Sequence, residues 1–531
     1  MRIFLISFVC EGCAILLFSP LNMARRSDFP PICVALGCAQ AETLARLAAE
    51  ACESGEQFLE IRMDMLEEPA RGVEVIRRLR ERYPDVLLLA TCRRQQNQGK
   101  FRGSIEQQLQ LLEVAVEAGA RAVDVEIETA VQARERLREL QQRVKLIISY
   151  HNFESTPALE PVLKRLEKAP ADLYKLVTTA RKPSDNLRLL ELCGKPRSRP
   201  LVGLAMGEAG VPSRVLSLSR HCPFTYAAAP FRPRASGKSH PTAPGQVPCW
   251  VMRRQYQAGR RTMETQIYGV IASPVAHSIS PAVHNRAFQA RRIDAVYLPF
   301  LVGPNHLRDF LNVAAELPVA GFSVTIPHKQ RVLRYLDGID AAARRMGAVN
   351  TVYRRHGRLH GANTDAAGVI VPLEKRMKLK GAAILIAGNG GAARSAAFAL
   401  LDNGARVWLT GRNPARVRAL ARTCGAAALD AGELAGRRFD AVVHATPVGM
   451  YPHVGESYFP DRIPADLVFD MVYNPCETLL LKNARAAGKT VISGLEMFLE
   501  QAAAQFEMWT GRAAPRLAME TSAREALSFN S

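Results

Sequence analysis

The sequence predicts an α/β chain in which an N-terminal (β/α)8 TIM barrel is followed by a two-domain α/β unit that ends in a Rossmann-like domain. Three observations support this prediction. Eight short apolar runs recur at intervals of 23 to 35 residues between residues 32 and 229. A new α/β pattern begins after residue 266. Within it, "AILIAGNGGAARS" joins an apolar strand to a glycine-rich turn and a helix, which is the order of elements in a dinucleotide fold.

Length and composition exclude several classes of protein. A chain of 531 residues is too long for one ordinary domain. Its net charge of +20 comes from scattered basic residues without a dense block, so we expect no nucleic-acid partner. The 11 cysteines are irregularly spaced, which indicates free thiols in a reducing compartment and a cytoplasmic location. Cys10 and Cys13 form a CxxC without a second pair, so we expect no metal site.

Residues 1–30 are expected to lie outside the fold. The apolar stretch "IFLISFVCEGCAILLFSP" is interrupted by Glu11 and preceded only by Arg2, which suits neither a spanning helix nor a secretion signal. Met23 begins "MARRSDFPPICVALG", which is typical of a cytosolic start. We therefore expect residues 1–22 to be an over-extended start, with a targeting segment as the alternative and no membrane association.

The barrel is expected over residues 31–258. Helical patterns such as "AETLARLAAEACESG" separate the apolar runs, and glycines close several of these helices. A doubly wound open sheet is the alternative, but eight units without a dinucleotide fingerprint favour a closed barrel. The runs are "ICVALG", "FLEIRMD", "LLLATCR", "AVDVEI", "KLIISYH", "LYKLVTT", "PLVGLAMG" and "FTYAAA".

Polar residues gather where these strands end, which is where barrels place their chemistry. Lys175 lies inside an apolar strand, a costly position unless the lysine is paired, neutral or reactive. A desolvated lysine near other cations becomes an amine nucleophile toward ketones, and His151 could move protons beside it. Schiff-base chemistry on an anionic keto substrate follows, although spacing alone does not separate an aldolase from a dehydratase. The other polar residues are Glu60, Arg62, Asp64, Arg93, Glu126 and Arg214.

The motifs "LEIRMD", "ATCRRQQNQGKFRGS", "ISYHNFESTP", "YKLVTTA", "GLAMGEAGVPSRVL" and "PTAPGQ" resemble those of type I 3-dehydroquinate dehydratase over residues 31–258. The resemblance implies that Lys175 forms an imine with the C3 ketone of 3-dehydroquinate. His151 would then abstract a C2 proton and help to expel the C1 hydroxyl as water. The implied substrate contacts are Glu60, Arg62, Arg93, Arg214, Thr242 and Gln246.

Two positions depart from the family pattern. Asn97 stands where the family usually has a glutamate whose carboxylate orients and charges the histidine. A weakened or specialised first activity is therefore possible, and Asn97→Glu is expected to raise turnover. Thr242 replaces a common serine but keeps the hydroxyl.

A second site is expected after a linker at residues 259–266. A substrate domain is expected over residues 267–367, completed by C-terminal helices at 495–531. Four polar loops each follow an apolar run in this part of the chain, and four such loops favour a site over chance solvation. The loops lie in "YGVIASPVAHSISP", "GFSVTIPHK", "GAVNTV" and "GANTDAAG".

The dinucleotide domain is expected over residues 368–494. The strand "AILIA" runs into Gly388, Gly390 and Gly391, and Ala393 takes the place of the third glycine. The next strand, "RVWLT", ends at "GRN" without an acidic residue. Because Arg412 suits a 2′-phosphate, NADP is favoured over NAD.

The motifs "SISP", "TIPHK", "GAVNT", "NTDAAG", "GNGGAAR", "ATPVGM", "DMVYNP" and "GLEMFLEQAA" resemble those of shikimate dehydrogenase over about residues 265–531. The resemblance implies a catalytic pair, Lys329 and Asp365. It also implies substrate contacts at Ser278, Ser280, Thr325, Asn350, Tyr473 and Gln501. The implied NADP contacts are Gly388, Asn389, Gly390, Gly391, Ala392, Arg412, Thr446 and Gly494.

The two implied activities are consecutive. Dehydration of 3-dehydroquinate gives 3-dehydroshikimate, and NADPH-dependent reduction of that product gives shikimate. The alternative is a quinate/shikimate dehydrogenase fused to a slow or non-catalytic barrel that acts as a binding module. Ser280 and Thr325 are both present, which favours shikimate over quinate. The sequence does not indicate an oligomeric state.

Overall fold

The computed structural model describes residues 28–230, 241–434 and 436–530. The expected over-extended start at residues 1–22, together with Cys10 and Cys13, lies outside this range. Within the described ranges no helix has the length and hydropathy needed to cross a bilayer. Every cysteine that the structure describes is a free thiol.

The first sheet is the predicted barrel. Its eight strands are parallel, and each forms from one of the eight apolar runs. The hydrogen-bonded order runs from β7 through β1 to β8, and no ladder joins β7 to β8 in the described part of the chain. The barrel is therefore nearly closed. The strands are β1 (Ile32–Leu36), β2 (Phe58–Arg62), β3 (Leu87–Thr91), β4 (Ala122–Glu126), β5 (Lys145–His151), β6 (Leu173–Thr179), β7 (Leu201–Met206) and β8 (Thr225–Ala227).

Amphipathic helices cover the outside of the barrel. The best-defined start is a capping box, in which the Ser104 hydroxyl accepts from the Gln107 N–H and the Gln107 side chain accepts from the Ser104 N–H. Apolar residues such as Leu44 and Leu109 face the strands and are buried. The helices are α1 (Ala41–Glu53), α2 (Arg71–Arg82), α3 (Ile105–Glu117), α4 (Ile127–Gln132), α5 (Arg134–Gln141), α6 (Leu159–Leu166), α7 (Pro183–Gly194) and α8 (Val211–Leu216).

Three aromatic side chains fill one end of the barrel interior. The Phe29 ring lies 5.6 Å from that of Phe58 and 5.2 Å from that of Phe224, distances that suit favourable aromatic contact. Phe29 is buried in the inner cluster of the barrel. The packed part of the chain therefore includes Phe29, one of the residues expected to lie outside the fold.

The second sheet belongs to the expected substrate domain. It runs in the order β10-β9-β11-β13-β14-β12, with a parallel half and an antiparallel hairpin. Its elements are β9 (Gln266–Ala272), α9 (Ser280–Ala290), β10 (Ala295–Leu301), α10 (Leu307–Glu316), β11 (Val319–Val324), β12 (Gly338–Ile339), α11 (Ala341–Met346), β13 (Thr351–Arg355), β14 (Arg358–Ala362) and α12 (Asp365–Glu374).

The third sheet is wholly parallel and runs in the order β17-β16-β15-β18-β19-β20. The strand order reverses beside β15, which is the first of these six strands in the chain. This is the Rossmann arrangement predicted from the glycine-rich turn. Two C-terminal helices then return to the second sheet, where Trp509 donates to the Val352 carbonyl at 3.0 Å. The elements are β15 (Ala383–Ala387), α13 (Gly391–Asp402), β16 (Arg406–Thr410), α14 (Pro414–Cys424), β17 (Ala427–Ala428), β18 (Phe439–His444), β19 (Ala465–Asp470), α15 (Leu479–Ala486), β20 (Thr490–Ile492), α16 (Gly494–Thr510) and α17 (Arg516–Asn530).

The barrel and the second sheet share an interface. Helix α7 packs on α10, and α8 packs on β10. The Asp309 carboxylate accepts from the Ser184 N–H at 2.9 Å. The expected linker at residues 259–266 is also held in place by hydrogen bonds. The buried Arg261 side chain donates to the Tyr256 carbonyl and to the Asp294 carboxylate.

Candidate active sites

The first site is a cavity at the carboxyl ends of the barrel strands. All eight barrel residues in the sequence-based site prediction line it, together with apolar and aromatic side chains. The segment from Thr242 to Gln246 contributes Thr242, Ala243 and Gln246 to the lining of this cavity, whose volume is about 30 Å³. Its lining includes Glu60, Arg62, Arg93, His151, Lys175, Arg214, Tyr226, Thr242 and Gln246.

Lys175 has different neighbours from those expected. Its Nζ lies 2.7 Å from Asp124 Oδ2 and 3.6 Å from Glu60 Oε1. It also donates to the Tyr226 hydroxyl at 2.8 Å. Carboxylates are thus the nearest charged partners of Lys175. A carboxylate beside the amine can take up its proton and can later stabilise a cationic imine.

His151 is suited to accept a proton. It lies at the end of β5, and the centroids of its ring and the Phe153 ring are 5.9 Å apart. Within the described part of the chain its Nδ1 has no hydrogen-bond partner. Burial, followed by the positive charges of Arg93 and Lys175, holds the pKa of His151 well below its ordinary value. The imidazole is therefore neutral near pH 7, as a general base must be.

Arg214 is suited to bind an anion. It is 1% exposed, and its Nε has no hydrogen-bond partner among the residues that the structure describes. Burial lowers the pKa of Arg214 to about 10. A buried guanidinium whose only described hydrogen bond goes to the Pro244 carbonyl is well placed to receive a carboxylate. Arg62 differs, because Asp64 already holds it in two hydrogen bonds of 2.9 Å.

Asn97 does not orient His151. Its Nδ2 donates to Glu128 Oε2 at 2.8 Å, and its buried Oδ1 has no hydrogen-bond partner in the described ranges. Glu126 likewise serves the surrounding loop, because it accepts from the Arg94 N–H and from the Gln108 side chain. Neither side chain lines the cavity.

The second site is a cavity of about 200 Å³ between the second sheet and the dinucleotide domain. All eight residues of the sequence-based prediction for this site line it, and Ala392 and Gly494 join them from the cofactor side. The lining includes Ser278, Ser280, Thr325, Lys329, Asn350, Asp365, Ala392, Tyr473, Gly494 and Gln501.

Lys329 and Asp365 form an ion pair in this cavity. Their Nζ and Oδ2 atoms are 2.5 Å apart. Asp365 begins α12, and its other oxygen accepts from Asn350 Nδ2 at 2.7 Å. The carboxylate is therefore stabilised by the helix N-terminus and by an amide. This arrangement aims an ammonium group into the cavity.

Ser278 and Ser280 lie at the start of α9. The Ser278 hydroxyl accepts from the Ser280 N–H at 3.3 Å, and Ser280 is the first residue of the helix. Two hydroxyls at a helix N-terminus are suited to bind a carboxylate.

Four residues in or beneath the two cavities were missed by sequence reasoning. Asp124 and Tyr226 contact Lys175. Ser323 and Gln505 line the second cavity and are joined by a hydrogen bond of 2.9 Å. Of these four residues, only Asp124 has a signal in the sequence. It stands in the middle of the apolar run "AVDVEI", and a buried carboxylate requires a partner.

The Rossmann-like domain provides a cradle for a dinucleotide. Gly388 has φ +137°, and a Cβ there would lie 2.7 Å from the Ala445 carbonyl oxygen, so a larger residue is excluded. A Cβ on Gly390 or Gly391 would meet nothing within 4 Å, which leaves space for phosphates at the start of α13. Arg412 is exposed just after β16. These residues fit a dinucleotide that carries a 2′-phosphate.

No group of three His, Cys, Asp or Glu side chains that could hold a metal ion occurs in residues 28–230, 241–434 and 436–530.

Comparisons with known proteins match both halves of the chain. Residues 32–262 match the family of type I 3-dehydroquinase, residues 270–352 the shikimate dehydrogenase substrate binding domain, and residues 494–524 the shikimate 5'-dehydrogenase C-terminal domain. The chloroplastic bifunctional 3-dehydroquinate dehydratase/shikimate dehydrogenase of Arabidopsis thaliana is 33% identical over 497 residues, which is 88% of this chain and 80% of that protein.

Two further relatives match one or both halves. The NADP(+) shikimate dehydrogenase of Desulforamulus reducens is 40% identical over 268 residues, covering 48% of this chain and 92% of that protein. The solved structure of dehydroquinate dehydratase and shikimate dehydrogenase from S. pombe AroM is 24% identical. It covers 93% of this chain and 98% of that chain, with a TM-score of 0.42.

Proposed function

The chain belongs to the family of bifunctional 3-dehydroquinate dehydratases/shikimate dehydrogenases, and from that premise we propose how its residues perform the two reactions. The barrel is a type I dehydroquinase, a lyase, and the second half is an NADP-dependent shikimate dehydrogenase, an oxidoreductase. Both act in the shikimate pathway. The observation that best supports the residue roles is that each cavity is lined by every residue expected there.

In the barrel, the substrate carboxylate pairs with the buried guanidinium of Arg214. The Lys175 amine attacks the C3 ketone, and loss of water leaves a cationic imine beside Asp124. Neutral His151 then removes a proton from C2, with the imine as electron sink. The resulting enamine expels the C1 hydroxyl, which takes the proton from the His151 imidazolium and leaves as water. Water then hydrolyses the remaining imine, which releases 3-dehydroshikimate and restores the Lys175 amine.

The remaining barrel contacts hold the substrate in place. Glu60, Arg62 and Arg93 face its hydroxyls, and Thr242 and Gln246 cover it. The Gln246 Oε1 accepts from the Thr242 N–H at 2.7 Å, which keeps the covering segment folded upon itself.

In the second half, Ser278 and Ser280 bind the carboxylate of 3-dehydroshikimate. Thr325, Asn350, Tyr473 and Gln501 surround the ring. The ammonium of Lys329 gives a proton to the oxygen that develops negative charge at C3, and Asp365 holds that ammonium in place. Ser280 and Thr325 both line the cavity, and we propose on this basis that shikimate is preferred over quinate.

NADPH, when bound, supplies the hydride for this step. Gly388, Asn389, Gly390, Gly391 and Ala392 would hold its phosphates, and Arg412 would pair with the 2′-phosphate. Thr446 and Gly494 would contact the half nearest the substrate. The partners that we propose are thus small molecules. We also propose a cytoplasmic location, supported by the free thiols, which cell fractionation would test.

A coupled assay of the whole chain tests the proposed function. Incubation with 3-dehydroquinate and NADPH should oxidise the cofactor and produce shikimate. The Lys175→Ala variant should lose this coupled activity yet still oxidise shikimate with NADP. Borohydride treatment with 3-dehydroquinate should label Lys175 in the wild-type chain. The absence of a lysine adduct would overturn the dehydratase mechanism, and better kcat/KM with quinate and NAD would overturn the second assignment.

A further inference from the structure

His444 ends β18, and its imidazole lies buried beneath Thr446 with 1% of the residue exposed. Its Nδ1 is 2.9 Å from Asp470 Oδ1, and its Nε2 is 2.5 Å from Thr446 Oγ1. Asp470 ends the neighbouring strand β19 and is fully buried. The three side chains therefore form a continuous chain of hydrogen bonds across two parallel strands.

The donors and acceptors in this chain can be assigned. The Asp470 carboxylate accepts from the Val472 N–H at 3.0 Å and from the Thr478 hydroxyl at 2.5 Å. Since the carboxylate can only accept, His444 must donate to it through Nδ1–H. In the neutral imidazole Nε2 is then an acceptor, so the Thr446 hydroxyl donates its hydrogen to Nε2. The centroid of the Tyr458 ring lies 5.7 Å from that of the imidazole.

Thr446 consequently has no hydrogen to offer a ligand. Its Oγ1 already accepts from the Val448 N–H at 3.2 Å, which leaves one lone pair. The residue is half-buried, so this lone pair can face the cofactor groove. A phosphate has only acceptor oxygens at neutral pH and gains nothing from such a group, whereas an N–H or O–H donor gains a hydrogen bond.

Thr446 lies between the dinucleotide turn and the substrate cavity. The carbonyl of the preceding residue, Ala445, closely approaches Gly388. On the other side, the Met471 N–H donates to the His444 carbonyl at 3.0 Å, and Met471 lines the cavity. A dinucleotide whose phosphates lie at Gly390 and whose reactive ring reaches Lys329 must pass Thr446 with its nicotinamide nucleoside half.

We propose that His444 is a positioning residue that fixes Thr446 as a hydrogen-bond acceptor for the nicotinamide nucleoside of NADP(H). The donor on the cofactor is either the carboxamide –NH2 or the 2-hydroxyl of the nicotinamide ribose. Asp470 sets the tautomer of His444, and His444 sets the direction of the Thr446 hydroxyl. This inference rests on the proposed NADP-dependent function of the second half.

Cofactor analogues test the proposal in the full-length enzyme. In the 3-acetylpyridine analogue of NADP an acetyl group replaces the carboxamide, so that the –NH2 donor is missing. A second analogue lacks the 2-hydroxyl of the nicotinamide ribose. For each analogue, the ratio of kcat/KM with NADP to kcat/KM with the analogue is measured for shikimate oxidation in wild type, Thr446→Val, Thr446→Ser and His444→Asn. Comparison between variants cancels the intrinsic reactivity of the analogue.

We expect the ratio for one analogue to be about tenfold lower in Thr446→Val than in wild type, which is the factor that corresponds to the loss of one hydrogen bond. Thr446→Ser should keep the wild-type ratio. The ratio for His444→Asn should lie between those of wild type and Thr446→Val. Ratios that are the same in all four enzymes for both analogues would overturn the inference. Dehydratase activity of each variant, measured on the same chain, shows that the protein is folded. If wild type fails to oxidise shikimate with NADP, the proposed function fails rather than this inference.

Discussion

Asp124 Oδ2 lies 2.7 Å from Lys175 Nζ, and Asp124 Oδ1 accepts from the Ser149 hydroxyl at 2.6 Å. Both Asp124 and Lys175 are buried, with 2% and 3% of each residue exposed. In the proposed mechanism Lys175 alternates between amine, imine and ammonium beside this carboxylate. We therefore expect Asp124 to stabilise the cationic imine as well as the resting ammonium.

Asp124→Asn is expected to lower dehydratase kcat by about 100-fold, because the amide keeps the shape of the side chain but removes the nearer of the two carboxylates that stabilise the buried cation. Initial rates with 3-dehydroquinate measure the effect. Ser149→Ala is the matched control. It removes only a hydrogen bond to the same carboxylate and should cost tenfold or less. An unchanged kcat in Asp124→Asn would contradict the role of the carboxylate.

The dehydratase should keep its activity below pH 6.5. His151 must be neutral to act as a base, and burial together with Arg93 and Lys175 lowers its pKa well below the ordinary value. As the pH falls, the base therefore stays neutral past the ordinary histidine range and is protonated only at the lowered pKa. The acid limb of kcat/KM, which reports the free enzyme, should lie well under pH 6.5. A half-maximal rate at or above pH 6.5 would disprove this.

The Asn97–Glu128 contact changes the outcome expected for Asn97→Glu. From sequence alone the new carboxylate should raise turnover by stabilising the histidinium. The structure places Asn97 Nδ2 at 2.8 Å from Glu128 Oε2, and Arg165 holds the other Glu128 oxygen. A second carboxylate there meets a like charge and loses a donor.

We therefore expect Asn97→Glu alone to lower the Tm without raising dehydratase kcat. The double variant Asn97→Glu/Glu128→Gln restores a donor opposite the new carboxylate, so it should recover the Tm that the single variant loses. Glu128→Gln alone serves as the control. Thermal unfolding and initial rates measure both effects, and a gain in kcat from Asn97→Glu alone would show that the Glu128 contact is unimportant.

A barrel residue contributes to the shikimate site. Glu208 follows β7, and its Oε1 accepts from the Val275 N–H at 3.2 Å in the loop that leads to Ser278. Glu208→Ala removes this support and should raise the KM for shikimate about tenfold, the size of one charge-assisted hydrogen bond. Glu208→Gln keeps an acceptor oxygen and should have a smaller effect. Dehydratase kcat should be unchanged in both, and a wild-type KM in Glu208→Ala would refute the link.

Some features follow from local sequence. The eight apolar runs became eight strands because strand length, spacing and the helices between them are properties of neighbouring residues. The turn at Gly388 is equally local, since a positive φ beside a strand end selects glycine. Lys175 also stood out without a structure, because a lysine in an apolar strand demands a partner.

The identity of that partner was decided by tertiary structure. Asp124 and Lys175 are 51 residues apart, and their contact depends on the register of β4, β5 and β6. Gln505 meets the Asn350 carbonyl across 155 residues, because α16 folds back onto the second sheet. Asn97 likewise meets Glu128 instead of His151. A sequence shows which residues require partners, whereas strand register and helix docking determine which partners lie within 3 Å.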